Sequence, residues 1–350
     1  MESGAPGQDL IDQAALSQWL DEEGIEVGAP VAIRRITSGH SNEVFELRRG
    51  GLRLALRRPP RSYNAASAHD MRREFRVLRA LWEHAESVPV PEPIALCRDL
   101  EVLGVPFFLM EFVDGAVIRQ HVIPGALERE PLAARQMSEA MVDTLVAIHD
   151  FDWQKAGLAD LGRPEGFLER QARRWQAQLD RYRTRPLPVL DEVGEWLARE
   201  IPPAHEPTLI HWDYRLDNVV FAKELPVRVI SVLDWEVATI GDPLIDLGWM
   251  LGCWRDPHEN WRIHEAVLGQ FPDHANFLSR EAVAERYAEY SGRDIQHLPY
   301  FIVMGLFKLA CLLEGFYTKF LKGQSDDATF GSQMESFVPE LGERARRFMQ

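Results

Sequence analysis

Cysteine is scarce in this chain of 350 residues, which has only Cys97, Cys253 and Cys311. The three lie far apart, and none belongs to a CxxC pair or to a cluster of cysteine and histidine. This spacing indicates neither a disulfide framework nor a zinc site. Because isolated thiols are typical of a reducing compartment, the sequence predicts a cytoplasmic protein.

Basic charge is also in short supply. The chain has 39 Lys and Arg against 54 Asp and Glu, which gives a formal net charge of −15. This excess argues against non-specific binding to nucleic acid or to an anionic membrane surface. The charge is uneven, with −7 in residues 1–26, +3 in 27–113 and −11 in 114–350. The negative charge of residues 114–350 is compatible with a cationic substrate, but a solvated acidic surface explains it more simply.

A secretory signal and a long apolar run are missing as well. The first ten residues, MESGAPGQDL, have no basic region followed by an apolar one. The longest apolar stretch covers residues 300–307, stops at Lys308 and is too short to cross a bilayer. The sequence also has no internal repeat. We therefore expect a globular protein without a membrane partner.

The N-terminal part has the patterns of a small antiparallel sheet with two helices. In chain order, hydrophobic periodicity predicts a helix over 8–23, strands over 31–37, 43–49 and 52–58, a helix over 68–84, and strands over 94–97 and 105–112. Gly50 and Gly51 join two of the strands and favour a tight hairpin turn.

Long helical patterns follow after Asp114. Helices are predicted over 131–150, 167–183 and 190–200, then a strand-rich segment over 208–233, then helices to the C-terminus. The predicted fold class is therefore α+β in two lobes. The N-terminal lobe covers residues 1–113, with the leading helix at 8–23, and the C-terminal lobe covers residues 114–350.

A polar cluster interrupts the strand-rich segment, in LIHWDYRLDNVVF at 209–221 and VLDWE at 232–236. His211, Asp213 and Asn218 have the H-x-D-x-x-x-x-N spacing of phosphoryl-transfer catalytic loops. In such loops the aspartate accepts the proton of the acceptor hydroxyl, and the asparagine holds a metal ion. Asp234 ends the next apolar run, where a second metal-binding carboxylate belongs. The alternative is that these residues only stabilise turns, through hydrogen bonds from their side chains to the backbone.

Together with GDPLIDLGW at 241–249, these motifs resemble the aminoglycoside phosphotransferase family of kinase-like enzymes. They resemble especially the branch of that family that includes kinase domains fused to acyl-CoA dehydrogenases. The resemblance covers nearly the whole chain and implies a protein-kinase-like fold. It implies Asp213 as the catalytic base, Asn218 and Asp234 as Mg²⁺ ligands, and Asp246 as a buried carboxylate that braces the catalytic loop. Arg215 would be a catalytic cation near the γ-phosphate.

The N-terminal lobe can be tested against the same hypothesis. A phosphate-covering loop is expected between the first two strands, with Ser38, Gly39, Ser41 and Asn42 as nucleotide-binding residues. The strand ending at Arg57 resembles the kinase strand that carries a phosphate-binding lysine, and Glu74 would be its ion-pair partner. Guanidinium and ammonium groups are not interchangeable, although the branch resembled here has this Arg. Solvated strand charges are the alternative.

The apolar strand that ends near Glu111 matches the hinge of the family. Backbone groups of Glu111 and Val113 would pair with the edge of adenine, in an apolar slot with few polar contacts. A core strand that simply leaves the sheet would have the same pattern.

The sequence thus predicts a Mg²⁺-dependent kinase that transfers the γ-phosphoryl group of ATP or GTP to a hydroxyl-bearing small molecule. Its basic N-terminal lobe would clamp the triphosphate, with Arg57 as the chief contact. One rival is a nucleotide-binding pseudokinase that acts through partners, which the single glycine of the loop favours. Another is a metal-dependent phosphoesterase with His211, Asp213 and Asp234 as ligands. The acceptor stays open among hydroxyacyl-CoA thioesters, amino alcohols, sugars and aminoglycosides, as does the oligomeric state.

Overall fold

The chain divides into two compact units. The computed structural model describes residues 10–36, 42–60, 70–118, 123, 125–255, 276–325 and 327–349. The first unit comprises Met1–Asp114 and Ser231–Val237, and the second comprises Gly115–Ile230 and Ala238–Gln350. The division after Asp114 lies one residue beyond the lobe boundary expected from the sequence. The segment Ser231–Val237, which carries Asp234, groups with the first unit although its neighbours in the chain belong to the second.

The first unit contains a five-stranded antiparallel sheet in the order β1-β2-β3-β5-β4. Its elements in chain order are α1 (Gln13–Glu22), β1 (Val31–Ile36), β2 (Glu43–Arg49), β3 (Leu52–Arg58), α2 (Met71–His84), β4 (Pro93–Cys97), α3 (Leu100–Leu103) and β5 (Phe107–Glu111). The small antiparallel sheet that the sequence predicts is confirmed.

The alternation of side chains along the strands gives the sheet two different faces. Helix α1 covers one face, where Trp19 meets Phe107 edge to face at 4.9 Å between ring centroids. The opposite face carries Arg57 and Phe108, and Phe75 of α2 packs on Phe108 at 5.8 Å. The period of two therefore directs Arg57 toward α2 and away from the apolar cluster around α1.

Helices α1 and α2 begin later than the sequence pattern predicts, because an aspartate caps the N-terminus of each of them. The Asp12 side chain accepts the first N–H groups of α1, and the Asp70 side chain does the same for α2. The sequence analysis missed the short helix α3, which Asp99 caps and Gly104 ends in the left-handed conformation. That turn shortens the predicted strand 105–112 to Phe107–Glu111.

The second unit is mainly helical, as the sequence predicts. Its elements are α4 (Ala133–Asp150), α5 (Phe167–Tyr182), α6 (Pro188–Arg199), β6 (Thr208–Ile210), β7 (Val219–Phe221), β8 (Val229–Val232, whose last two residues group with the first unit), β9 (Thr239–Gly241), α7 (Leu244–Cys253), α8 (Arg280–Ser291), α9 (Leu298–Leu321) and α10 (Ala328–Arg346). Strands β6 and β9 pair with each other. The Ala222 N–H donates to the Arg228 carbonyl and closes the turn between β7 and β8.

Helix α9 is the apolar centre of the second unit. The helix is longer than the uninterrupted apolar run 300–307, because it continues through the buried Lys308 to Leu321. Among the described residues, α9 is the one helix long and apolar enough to cross a membrane, but 83% of its most apolar 18-residue segment is buried inside the protein. Such burial is typical of a core helix.

Helices α7 and α9 approach each other closely at Gly248. A Cβ atom at this position would lie 2.4 Å from the Phe301 carbonyl carbon and 2.5 Å from its oxygen, both of them backbone atoms. Glycine is therefore required here by the distance between the two helices.

We predict that Gly248→Ala lowers the free energy of unfolding by about 1–3 kcal/mol, because the added methyl group forces α7 away from α9. Gly252→Ala on the same helix is the matched control, since its Cβ would lie 3.4 Å from the nearest atom, in the Leu306 side chain. Chemical denaturation followed by circular dichroism measures both variants. Equal stability of the two variants would contradict the argument.

Candidate active site

The loop that the sequence predicts as catalytic, residues 211–218, lies between β6 and β7 in the second unit and is called the catalytic loop below. His211 follows the last residue of β6, and a single 3₁₀ turn, Leu216–Asn218, leads into β7. His211 is fully buried, and its Nδ1 accepts the N–H of Asp213 at 3.2 Å. The ring therefore has a structural role, because it helps to fix the backbone of Asp213.

Asp246 braces this loop from α7. Its two carboxylate oxygens accept the N–H groups of His211 and Trp212, at 2.7 and 2.6 Å. The carboxylate is completely buried. Hydrogen bonds to a charged acceptor are among the stronger ones in proteins, so this pair of bonds fixes the start of the loop. The resemblance to the family implied this role, and the geometry agrees with it.

His149 gives Asp246 a third hydrogen bond, at 3.3 Å from Nε2. His149 lies in the last turn of α4, its ring is buried in the unit, and its Nδ1 lies 2.8 Å from the Tyr287 hydroxyl. Burial lowers the pKa of His149, although Asp246 acts in the opposite direction. A neutral ring satisfies both contacts when Nε2 donates to Asp246 and Nδ1 accepts from Tyr287.

Asp213 and Asn218 are held together by two hydrogen bonds. The Asn218 Nδ2 donates to the carbonyl and to the Oδ2 atom of Asp213, both at 2.9 Å. The Asp213 side chain is 28% exposed, so it can reach a ligand. Because Nδ2 of Asn218 faces Asp213, its Oδ1 is the atom that can serve a cation.

Arg215 lies between two carboxylates of the same loop. Its Nη2 is 2.8 Å from Asp217 Oδ2, and its Nε is 3.6 Å from Asp213 Oδ1. The guanidinium therefore partly balances the charge of the proposed base. Sequence reasoning missed Asp217, whose only signal was its position one residue before Asn218.

A second cluster surrounds Arg57 in the first unit. The Arg57 Nε donates to Glu74 at 2.9 Å, and Nη2 pairs with Asp234. The expected ion pair between β3 and α2 is thus present, and Arg57 is buried rather than solvated. Asp234 has a positive φ of 66°, which an aspartate tolerates better than most residues.

Glu236 is an acidic residue of this cluster that the sequence analysis missed. It lies 3.9 Å from Arg57 Nη2 and accepts a 2.7 Å hydrogen bond from Asn42. Its sequence signal was its place two residues after Asp234, in VLDWE.

The cluster therefore has three carboxylates around one guanidinium. Burial raises the pKa of Glu74, and Asp234 and Glu236 raise it further, while Arg57 lowers it. An excess of carboxylate oxygens in one place fits a hard divalent cation. Within the described residues, no group of three or more His, Cys, Asp or Glu side chains is arranged to hold a metal alone. Mg²⁺, which shares its ligands with water and phosphate, needs only one or two carboxylates from the protein.

The other predicted nucleotide contacts are partly visible. The N–H of Glu111 donates to the Glu92 carbonyl at 2.8 Å, so of its two backbone groups the carbonyl is the one that a base could use. Val113 follows two residues later and is half-buried. Ser38, Gly39 and Ser41 lie outside the described residues, whereas Asn42 is described and contacts Glu236.

A sheet unit, a helical unit and this loop are the parts of a kinase-like phosphotransferase, and comparisons with known proteins agree. The family model described as phosphotransferase enzyme family matches residues 32–290. A putative aminoglycoside phosphotransferase from Ralstonia eutropha has a TM-score of 0.77 and 28% identity, over 96% of this chain and 98% of that one. Wild-type aminoglycoside 2'-phosphotransferase-IIIa, solved with GDP, has a TM-score of 0.62 at 13% identity, over 95% and 99% of the two chains, which shows the fold alone.

The chain therefore belongs to the aminoglycoside phosphotransferase family, as its motifs indicated. Acyl-CoA dehydrogenase family member 11 from Homo sapiens is 33% identical over 335 residues, which cover 94% of this chain and 42% of that protein. This chain thus spans less than half the length of that curated relative. The fold of this chain is that of kinase-like phosphotransferases.

We predict that Asp246→Asn lowers the free energy of unfolding by about 1–3 kcal/mol, because an amide cannot accept every N–H that the carboxylate accepts. Asp143→Asn is the control, since it removes a partly exposed ion pair with Arg286 that contributes at most about 1 kcal/mol. Chemical denaturation compares the two. Equal losses would show that Asp246 does not brace the loop.

Proposed function

We propose that this protein is a Mg²⁺-dependent kinase that transfers the γ-phosphoryl group of ATP or GTP to a hydroxyl group of a small molecule. The observation that carries the proposal is the loop in which Asn218 orients the partly exposed Asp213 carboxylate. A carboxylate held in this way accepts a proton from an alcohol. The free thiols of the three cysteines fit a cytoplasmic location, which we propose as well.

The first unit would bind the nucleotide. The guanidinium of Arg57 has a fixed direction because Glu74 holds its Nε, so its outer nitrogens can donate to phosphate oxygens. The carbonyl of Glu111 and backbone groups of Val113 would pair with the base. The loop with Ser38, Gly39, Ser41 and Asn42 would cover the phosphates.

Asn218 and Asp234 would hold Mg²⁺. The metal would neutralise negative charge on the phosphate oxygens, as it does in other phosphoryl-transfer enzymes. Asp234 shares the guanidinium of Arg57 with Glu74 and Glu236, so its negative charge is only partly balanced. This excess of carboxylates supports the assignment of Asp234 as a metal ligand.

In the transfer step, the acceptor oxygen would form a bond to the γ-phosphorus while the bond from that phosphorus to the diphosphate breaks. Asp213 would receive the hydroxyl proton, and ADP or GDP would leave. Arg215 would stabilise the charge that develops on the transferred group. The existing contact of Arg215 with Asp217 holds its guanidinium beside the base.

The acceptor is proposed as a small hydroxyl compound, and the relatives suggest which ones to test. The human relative is named an acyl-CoA dehydrogenase family member, and a structural neighbour is a putative aminoglycoside phosphotransferase. A panel of hydroxyacyl-CoA thioesters, amino alcohols, sugars and aminoglycosides, with coupled detection of ADP or GDP, separates these classes. A nucleotide-binding pseudokinase would turn over none of them and would not hydrolyse the nucleotide either.

We predict that Asp213→Asn lowers phosphoryl transfer by about 10²–10⁴-fold, because the amide cannot accept the hydroxyl proton. Nucleotide affinity should change little, since Asp213 is not assigned to nucleotide binding. Turnover assays and calorimetric titration measure the two quantities. Asp152→Asn, on the surface of the second unit, is the control. Full activity of Asp213→Asn would remove the proposed base.

We also predict that Asp234→Ala abolishes the dependence of nucleotide binding on Mg²⁺. Titration of ATP with Mg²⁺ and with EDTA should give different dissociation constants for the wild type and the same weak constant for the variant. The physical reason is the loss of the carboxylate that would bind the metal. If the wild type binds ATP equally well without any divalent metal, the metal assignment is wrong.

A further inference from the structure

Lys308 is a buried cation in the apolar core of the second unit. It lies in the middle of α9, and only 6% of its surface is exposed. Placing an ammonium group in an apolar core is costly unless other groups replace its water. A lysine retained at such a position therefore needs a physical reason.

Two rings and one carbonyl replace the water around this ammonium group. Its Nζ donates to the carbonyl of Trp212 in the catalytic loop. It also lies 4.0 Å from the ring centroid of Trp249 and 5.0 Å from that of Trp212. Both distances fall within the range of a cation–π interaction. The cavity beside it measures about 10 Å³, which holds at most one water molecule.

Trp212 has an unusual backbone conformation that these contacts stabilise. Its φ is 63°, which is rare for a bulky residue that is not glycine. The Asp246 carboxylate accepts the N–H of Trp212, and Lys308 donates to its carbonyl. A strained conformation persists only where its surroundings fix it, and here a charged group holds each end of the residue. The next residue in the chain is Asp213.

We propose that Lys308 is a positioning residue of the catalytic loop: its ammonium group holds the Trp212 carbonyl and thereby sets the direction of the Asp213 carboxylate. This role rests on the proposed function of Asp213 as the base. It differs from a general contribution to stability because it depends on the charge of Lys308 and acts on the rate of transfer.

The charge of Lys308 changes near neutral pH. Burial lowers its pKa to about 7, although the carboxylates of Asp213 and Asp246 and the thiol of Cys253 act in the opposite direction, and Arg215 lowers it further. These four groups face Lys308 from the catalytic loop and from α7. Burial raises the pKa of the Cys253 thiol to about 11, so its titration is well separated from that of Lys308.

The sign of the pH effect follows from this shift. Below pH 7 Lys308 is an ammonium group, which grips the carbonyl and both rings. Above pH 7 it becomes a neutral amine, which donates a weaker hydrogen bond and loses the cation–π attraction. The loop should then hold Asp213 less firmly, and kcat should decline as the pH rises through about 7.

The first test measures the hydrolysis of Mg²⁺–ATP, with water as the acceptor, between pH 5.5 and 9.5. The wild type should lose roughly tenfold in kcat across neutral pH, since a charged hydrogen bond is replaced by a neutral one. Lys308→Met should be roughly tenfold slower at pH 6 and lack this decline. Lys308→Arg keeps its charge, so it should recover part of the rate and also lack the decline. The KM for ATP should stay the same throughout.

Lys319→Met is the matched control, because Lys319 lies on the same helix but is exposed. It should keep the rate and the pH profile of the wild type. The proposal is overturned if folded Lys308→Met has the wild-type kcat at pH 6, or if it keeps the alkaline decline. A loss of thermal stability with an unchanged pH profile would also overturn it, because that result indicates a purely structural lysine.

A second test does not depend on catalysis. The chain has only five lysines, so ¹³C labelling at lysine Cε gives at most five signals, from Lys155, Lys223, Lys308, Lys319 and Lys322. The signal that Lys308→Met removes should titrate near pH 7, and the indole signal of Trp212, assigned with Trp212→Phe, should shift with the same midpoint.

The two tests separate the inference from the proposed function. If the wild type neither hydrolyses nor transfers phosphate, the proposed function fails, while the NMR titration still shows whether Lys308 is coupled to the loop. If Trp212 does not respond when Lys308 titrates, the inference fails even when the protein is an active kinase.

Discussion

The buried carboxylate of Asp246 is the interaction on which the arrangement of the catalytic loop depends. It accepts two successive backbone N–H groups, from His211 and Trp212, in a place without access to water. Buried N–H groups need an acceptor, and the single carboxylate of Asp246 provides one for each of them. Asp213 and Asn218 inherit their positions from this anchor, since they follow within seven residues of His211.

Charge compensation explains why other buried polar groups gather around this anchor. Asp246 has no arginine as a partner among the contacts described above, and neutral His149 gives it one hydrogen bond without a charge. Lys308 provides a positive charge whose influence extends to both Asp213 and Asp246. The second unit therefore has a buried cation beside its acidic loop that is not part of the motif.

The sequence predicted most of the secondary-structure elements, and the contact between Asp213 and Asn218, because these depend on local patterns. Period two in β3 directs Arg57 to the face of α2, and the H-x-D-x-x-x-x-N spacing places Asp213 and Asn218 in one loop. It failed where the partner is distant in the chain. Lys308 interrupts an apolar run and looks like its end, because its partner Trp212 lies 96 residues earlier. Side-chain periodicity contains no information about such a pair.

The net charge of the N-terminal part likewise does not reveal which charged side chains pair with each other. Its excess of +3 suggested a basic lobe that clamps phosphate, but Arg34, Arg48 and Arg53 all pair with Glu46. Burial raises the pKa of Glu46, but the hydrogen bonds from these arginines outweigh burial and lower that pKa to about 2. Around Arg57 the balance is reversed, with three carboxylates for one guanidinium. The place where a triphosphate is expected is therefore locally acidic, which is repulsive for phosphate alone and favourable for phosphate that arrives with a divalent cation.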